Sequence, residues 1–271
     1  EPEFASVFDG ALDADSICSG ISAIRPDVRF IPGRTLIFLD EIQECRDVRT
    51  AFKFLALDGR YDVVASGSLL GIKYKRKRKD KEPKSVSVGF ERQVTMHSLS
   101  FEEFLWAKGY QPLQIEQLRE YFIRREPVPE VVNEKFHALM REYAVVGGMP
   151  EVVSGYIENR HFGDVQRTQE KILVAYIDDI HKYADAVDVP KIERCFRAMP
   201  LILAKENRKF KYSEVEKGAT ARKYLSSVDW LKDSSLASFA ECVNVALPGL
   251  AGYVKEEWFK LYLSDLGLLC A

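Results

Sequence analysis

The sequence predicts an α/β chain in which a parallel sheet covered by helices is followed by a helical region and then a winged helix-turn-helix. Three observations carry this. An unbroken apolar run, Thr35-Leu36-Ile37-Phe38-Leu39, precedes a helix-period segment and a second apolar run. From 111 to about 209 apolar residues recur at helical spacing, and from 210 onward two short helical stretches give way to β-type sequence. The 271 residues, 46% of them hydrophobic, suffice for a sizeable core and suggest two or three domains, with boundaries expected at 1–110, 111–209 and 210–271.

Residues 14 to 25 read as a short helix, and Pro32-Gly33 as a turn. The run after it is continuous rather than alternating, which predicts a strand buried on both faces, as in a parallel sheet flanked by helices. Val48, Ala51, Phe52, Leu55 and Ala56 then recur at helical spacing, and Gly59 closes that helix. Tyr61 to Ser66 follows as a second strand, so the order strand, helix, strand implies a right-handed crossover. Arg92 to His97 is expected as a third strand. Ser100, with Glu103 three residues on, reads as a capping box that starts a helix to Lys108.

Helices are expected near 112–124, 131–145, 150–160, 162–182 and 190–205, interrupted by Gly147-Gly148 and several prolines. Beyond 210, helices near 213–217 and 220–232, β-type sequence around 237–245 and a final helix near 255–263 suggest the winged helix. The basic stretch Lys73 to Lys84 reads as a surface loop.

Composition narrows the function. With 39 basic and 41 acidic residues, no global charge draws the chain to nucleic acid or an anionic membrane. Five widely spaced cysteines fit neither a disulfide framework nor paired metal knuckles. No apolar run approaches the roughly 20 residues of a membrane span, and the N-terminus is not a signal peptide, so a cytoplasmic protein is expected. The abrupt ends predict truncation on both sides.

The sharpest chemical feature is Leu36-Ile37-Phe38-Leu39-Asp40-Glu41, a strand delivering two adjacent carboxylates at its carboxyl end, where open α/β sheets bind ligands. In P-loop ATPases such a first carboxylate holds hydrated magnesium beside the phosphates, and the next orients the attacking water. Asp40 and Glu41 would take those roles. The second strand ends in Ser66-Gly67-Ser68 at the same edge, where Ser68, with Ser66 behind it, would sense the terminal phosphate or the water.

Ile37 to Gln43, Ala65 to Gly71 and Leu99 to Leu105 follow in order the pattern of a group of prokaryotic AAA-type ATPases, which this chain resembles. The resemblance continues through Val146-Gly147-Gly148-Met149-Pro150-Glu151 and Phe259-Lys260-Leu261-Tyr262, in a domain of unknown function that follows the ATPase. It implies ATP and magnesium as cofactors and an AAA-type P-loop fold that is incomplete here, since GxxxxGK[ST] occurs nowhere in the sequence. The expectation is that the family's first strand and phosphate loop precede Glu1; members also continue into a nuclease-like domain. The resemblance further implies an arginine finger and assembly into a homo-oligomer, with Arg46, Arg49 and Arg92 as candidates.

Other features have plainer readings. The cations of 73–84 could contact a phosphate backbone, but Tyr74 is the stretch's one aromatic, so it lacks the interleaved platform of a single-strand binder. Arg222 and Lys223 are the candidate DNA contacts of the winged helix, opposed by Asp229 and Asp233; a protein-contact role is the favoured use of that module. His97, His137, His161 and His181 have no partners at ligand spacing, and Asp178-Asp179-Ile180-His181 fans over different helix faces. Two functions remain in view: an ATPase coupling nucleotide state to its winged helix, and a non-hydrolysing DNA- or protein-binding module on a scaffold ATPase fold.

Overall fold

The computed structural model describes residues 2–45, 47–68 and 89–271, and the chain divides into two compact units, Glu1–Thr95 and Met96–Ala271. The first unit is a small α/β layer. After a helical turn, α1 (Pro2–Ala5), helix α2 (Ala14–Ile24) starts where the Asp13 side chain accepts the Ser16 N–H at 2.9 Å. Strand β1 (Leu36–Leu39), helix α3 (Val48–Asp58) and strand β2 (Asp62–Ala65) then form the expected crossover. Gly59 ends α3 at φ 66°, a left-handed conformation open to glycine, with its N–H on the Leu55 carbonyl at 3.1 Å. The strands pair in parallel, Leu36 with Asp62 through Leu39 with Ala65.

Ile37 is buried with Phe8, Ala14, Ile17, Val48, Ala51 and Leu55, so α2 and α3 pack on one face of this two-stranded sheet. The other face is open: Leu36 is 57% exposed, Phe38 59% and Val64 46%. This corrects the expectation of a strand buried on both faces, because both helices lie on the Ile37 side. The third strand is also corrected. Residues 92–97 make no sheet pairing among the described residues, and Val94 and Met96, whose alternation suggested a strand, face solvent at 74% and 93%.

The second unit is mostly helical. Helix α4 (Phe101–Ala107) opens with the predicted capping box: Glu103 N–H donates to Ser100 Oγ at 3.3 Å, and the Glu103 carboxylate accepts the Ser100 N–H at 2.7 Å. Then come α5 (Pro112–Arg124), α6 (Glu130–Val146), α7 (Pro150–Asn159), α8 (Phe162–Tyr183) and α9 (Val189–Leu203), close to the expected bounds. Phe104, Val146, Val152, Val153, Tyr156 and Val165 form one core.

The remainder is α10 (Tyr212–Val215), α11 (Ala221–Asp233) and an antiparallel pair, β3 (Ala237–Val243) and β4 (Val254–Leu263). Helix α9 packs on α11 and on β4. The expected helix near 255–263 is thus a strand. Phe259, Leu261 and Leu263 are buried at alternate positions opposite Glu241, Phe239 and Ala237, a period of two that only a strand places on one face. A bulge interrupts the register between Glu241 and Cys242.

Candidate functional site

Because Leu39 pairs with Ala65, the next residue on each strand, Asp40 and Ser66, emerges at the same sheet edge. The backbone fixes this corner: Ser66 N–H donates to the Leu39 carbonyl at 2.9 Å, and Ile42 N–H to the Ser66 carbonyl at 3.1 Å. Asp40 Oδ1 accepts two hydrogen bonds, from the Ser66 hydroxyl and, at 3.0 Å, from the Glu41 N–H. Asp40 Oδ2 takes none among the described residues.

Glu41 adopts φ 52°, ψ 45°, a left-handed conformation that costs a non-glycine residue about 1–3 kcal/mol and concentrates at functional sites. It turns the chain from β1 into the single turn Ile42–Glu44. That turn brings Gln43 back: its amide N–H donates to the Glu41 carboxylate, while its carbonyl accepts the Ser68 N–H at 3.1 Å. Both carboxylates are exposed, and Ser66, Gln43 and Ser68 are partly buried.

Three of the predicted residues, Asp40, Glu41 and Ser66, therefore meet directly. Ser66, read from sequence as standing behind Ser68, is the serine on Asp40; Ser68 joins through its backbone and Gln43. Sequence reasoning gave Gln43 no role. The signal for it is the spacing Asp40-Glu41-Ile42-Gln43, which returns an amide to Glu41 only if the chain makes one tight turn there.

Of the finger candidates, Arg49 donates to the Glu91 carboxylate, Nε to Oε2 at 3.1 Å, and that pairing raises its already high pKa. Arg92 is exposed. Arg46 and the 73–84 stretch lie outside the described residues. On α11, Lys223 Nζ lies 2.7 Å from Glu216, and the Tyr224 hydroxyl donates to the same carboxylate at 2.5 Å. The Lys223 ammonium first, then the Tyr224 hydroxyl, hold the Glu216 carboxyl down to about 2, while Arg194 approaches at 3.3 Å. Arg222 is exposed and makes no ion pair among the described residues. No group of three His, Cys, Asp or Glu is placed to hold a metal among the described residues, and no helix there is long and apolar enough to cross a membrane.

Residues 10–105 match the AAA domain family, and residues 137–271 match a domain of unknown function (DUF8612). Asp40, Glu41, Gln43, Ser66 and Ser68 all fall within the AAA match, which supports an AAA-type P-loop ATPase domain on a mixed α/β fold with a small parallel sheet. No curated protein matches the chain. Among solved structures, the Walker-type ATPase PABY2304 of Pyrococcus abyssi is similar with a TM-score of 0.46 at 15% identity, over 99% of this chain and 73% of that one.

Proposed function

We propose that the edge built by Asp40, Glu41, Gln43 and Ser66 is the acidic, water-positioning side of an ATP site whose nucleotide state is coupled to the second unit. One observation carries the reading: within the AAA match, two parallel strands deliver two carboxylates and a serine to one corner, each carboxylate with a side-chain partner of its own.

The donors suit magnesium, a hard cation that keeps several waters and needs only one or two carboxylates beside phosphate oxygens. Asp40 would hold it through water, its Oδ1 fixed by two donors and its Oδ2 left to accept. When bound, magnesium would neutralise charge on the phosphates. Ser66 holds the Asp40 carboxylate in place. Gln43 holds Glu41, whose carboxylate would orient a water and accept its proton. Ser68 completes the line through its N–H on Gln43.

The phosphate cradle is the part these residues do not encode, since a backbone nest and lysine of the GxxxxGK[ST] type are absent. The reading assigns it to a segment that would also cover the open apolar face of Leu36, Phe38 and Val64, because parallel sheets are covered on both sides. Turnover by the gene's natural product tests the assignment. Asp40→Asn and Glu41→Gln are expected to lower it by about 10²-fold or more each; undiminished turnover in both would end the reading.

The missing cradle also favours a second reading, a binding module in which the ATPase fold is a scaffold. In either, the second unit's last segment is proposed as a winged helix whose helix α11 is used for protein contact. The order α9, α10, α11 and then an antiparallel hairpin supports this, as does the pairing of Lys223 with Glu216, which leaves Arg222 as the cation of those two with no ion pair among the described residues. A gel shift abolished by Arg222→Ala would turn the assignment toward DNA.

A further inference from the structure

The outward face of the β3–β4 hairpin is cationic and aromatic. Phe259, Leu261 and Leu263 point inward, so Trp258 and Lys260 alternate outward, and Lys255, opposite Cys242 beyond the bulge, shares their side. The facing positions on β3 are Ser238, Ala240 and Cys242, none of them acidic. Beside the hairpin, Phe210 N–H donates to the Phe259 carbonyl at 2.9 Å and the two rings stack, anchoring the segment Arg208-Lys209-Phe210-Lys211. Trp258 is 49% exposed; the Lys209 ammonium lies 3.7 Å from its ring centre and that of Lys255 5.8 Å. Lys209, Lys255 and Lys260 have no carboxylate partner among the described residues.

We propose that this face binds single-stranded nucleic acid, with a base on the Trp258 indole and phosphates on Lys209, Lys255 and Lys260. An exposed ring flanked by ammoniums is the combination that tracks a strand, stacking on any base while its cations follow the backbone. A duplex keeps its base faces inside and cannot use the indole. Glu241 is level with buried Phe259 and belongs to the other face. Among the described side chains, Glu257, next to Trp258 in the bulge, is an acidic neighbour that opposes phosphate. The inference is independent of the ATP assignment, since none of its residues lies in the first unit.

The test is fluorescence anisotropy of a labelled oligothymidylate of about 16 nucleotides, the upper end of such site sizes, titrated with the full chain at several salt concentrations. Affinity is expected to fall with salt at a logarithmic slope on the order of −2, three lysines each contributing about −0.7. Trp258→Ala should weaken binding about five- to hundred-fold and Trp258→Tyr much less. Replacing Lys209, Lys255 and Lys260 together by Gln should remove the salt slope, Glu257→Gln should tighten binding, and Arg222→Ala should change nothing. Circular dichroism melting confirms that each variant is folded. Wild-type affinity in folded Trp258→Ala, a salt slope surviving the triple variant, or competition by polyglutamate as strong as by the oligonucleotide would overturn the proposal. So would equal binding of a duplex.

Discussion

Asp265 is a carboxylate only 2% exposed, and it spends both oxygens on backbone: Oδ2 accepts the Gly148 N–H at 2.8 Å and Oδ1 the Gly267 N–H at 2.9 Å. Gln169, equally buried, donates to the Val145 and Val146 carbonyls at 2.8 and 3.1 Å. The glycines are required by contact. A Cβ on Gly148 would lie 2.0 Å from the Leu99 carbonyl oxygen, which also accepts the Tyr143 hydroxyl at 2.6 Å. Gly148→Ala is therefore predicted to destabilise the second unit by about 1–3 kcal/mol or more, by overpacking. Asp265→Ala strands two buried N–H groups at about 1–3 kcal/mol each, which chemical denaturation would measure. Glu216 gives a pH prediction instead. Its folded pKa of about 2 lies below the ordinary carboxylate value near 4.3, so its stabilisation is complete above that value and is lost as pH falls toward 2. Glu216→Gln should flatten the acid limb of a melting-temperature profile in that window. None of this knot was legible in Gly147-Gly148, which reads locally as a helix breaker, because Asp265 stands 117 residues away along the chain.

At the scale of elements, what could be read was whatever a local rule decides. Ser100 and Glu103 close their box as predicted, and Ser100→Ala should cost about 1 kcal/mol in thermal unfolding. The helices from Pro112 to Leu203 carry long 3.6-residue periods, which explains their agreement with expectation. Short segments failed where a partner decides. Val94 and Met96 alternate like a strand but pair with no strand among the described residues, and Val254–Leu263 contains helix-favouring Lys and Glu yet is held extended by β3. The site divides in the same way. Asp40 and Glu41 were legible because an apolar run ends in them, whereas the role of Gln43 depends on the left-handed turn at Glu41, which no residue preference announces.

At the scale of the whole molecule, the two units carry separate chemistry: a carboxylate edge in the first, and a basic, aromatic hairpin face in the second. The central claim concerns the first, as proposed above: that Asp40 and Glu41 serve a magnesium nucleotide, with a phosphate cradle of the GxxxxGK[ST] type that these 271 residues do not encode. Calorimetry of magnesium-dependent ATP binding, run on this chain and on the gene's natural product, tests it most directly. The account predicts heat from the natural product, reduced by Asp40→Asn, and little or none from this chain alone. Absence of binding in both would contradict it and leave the sheet edge as scaffold.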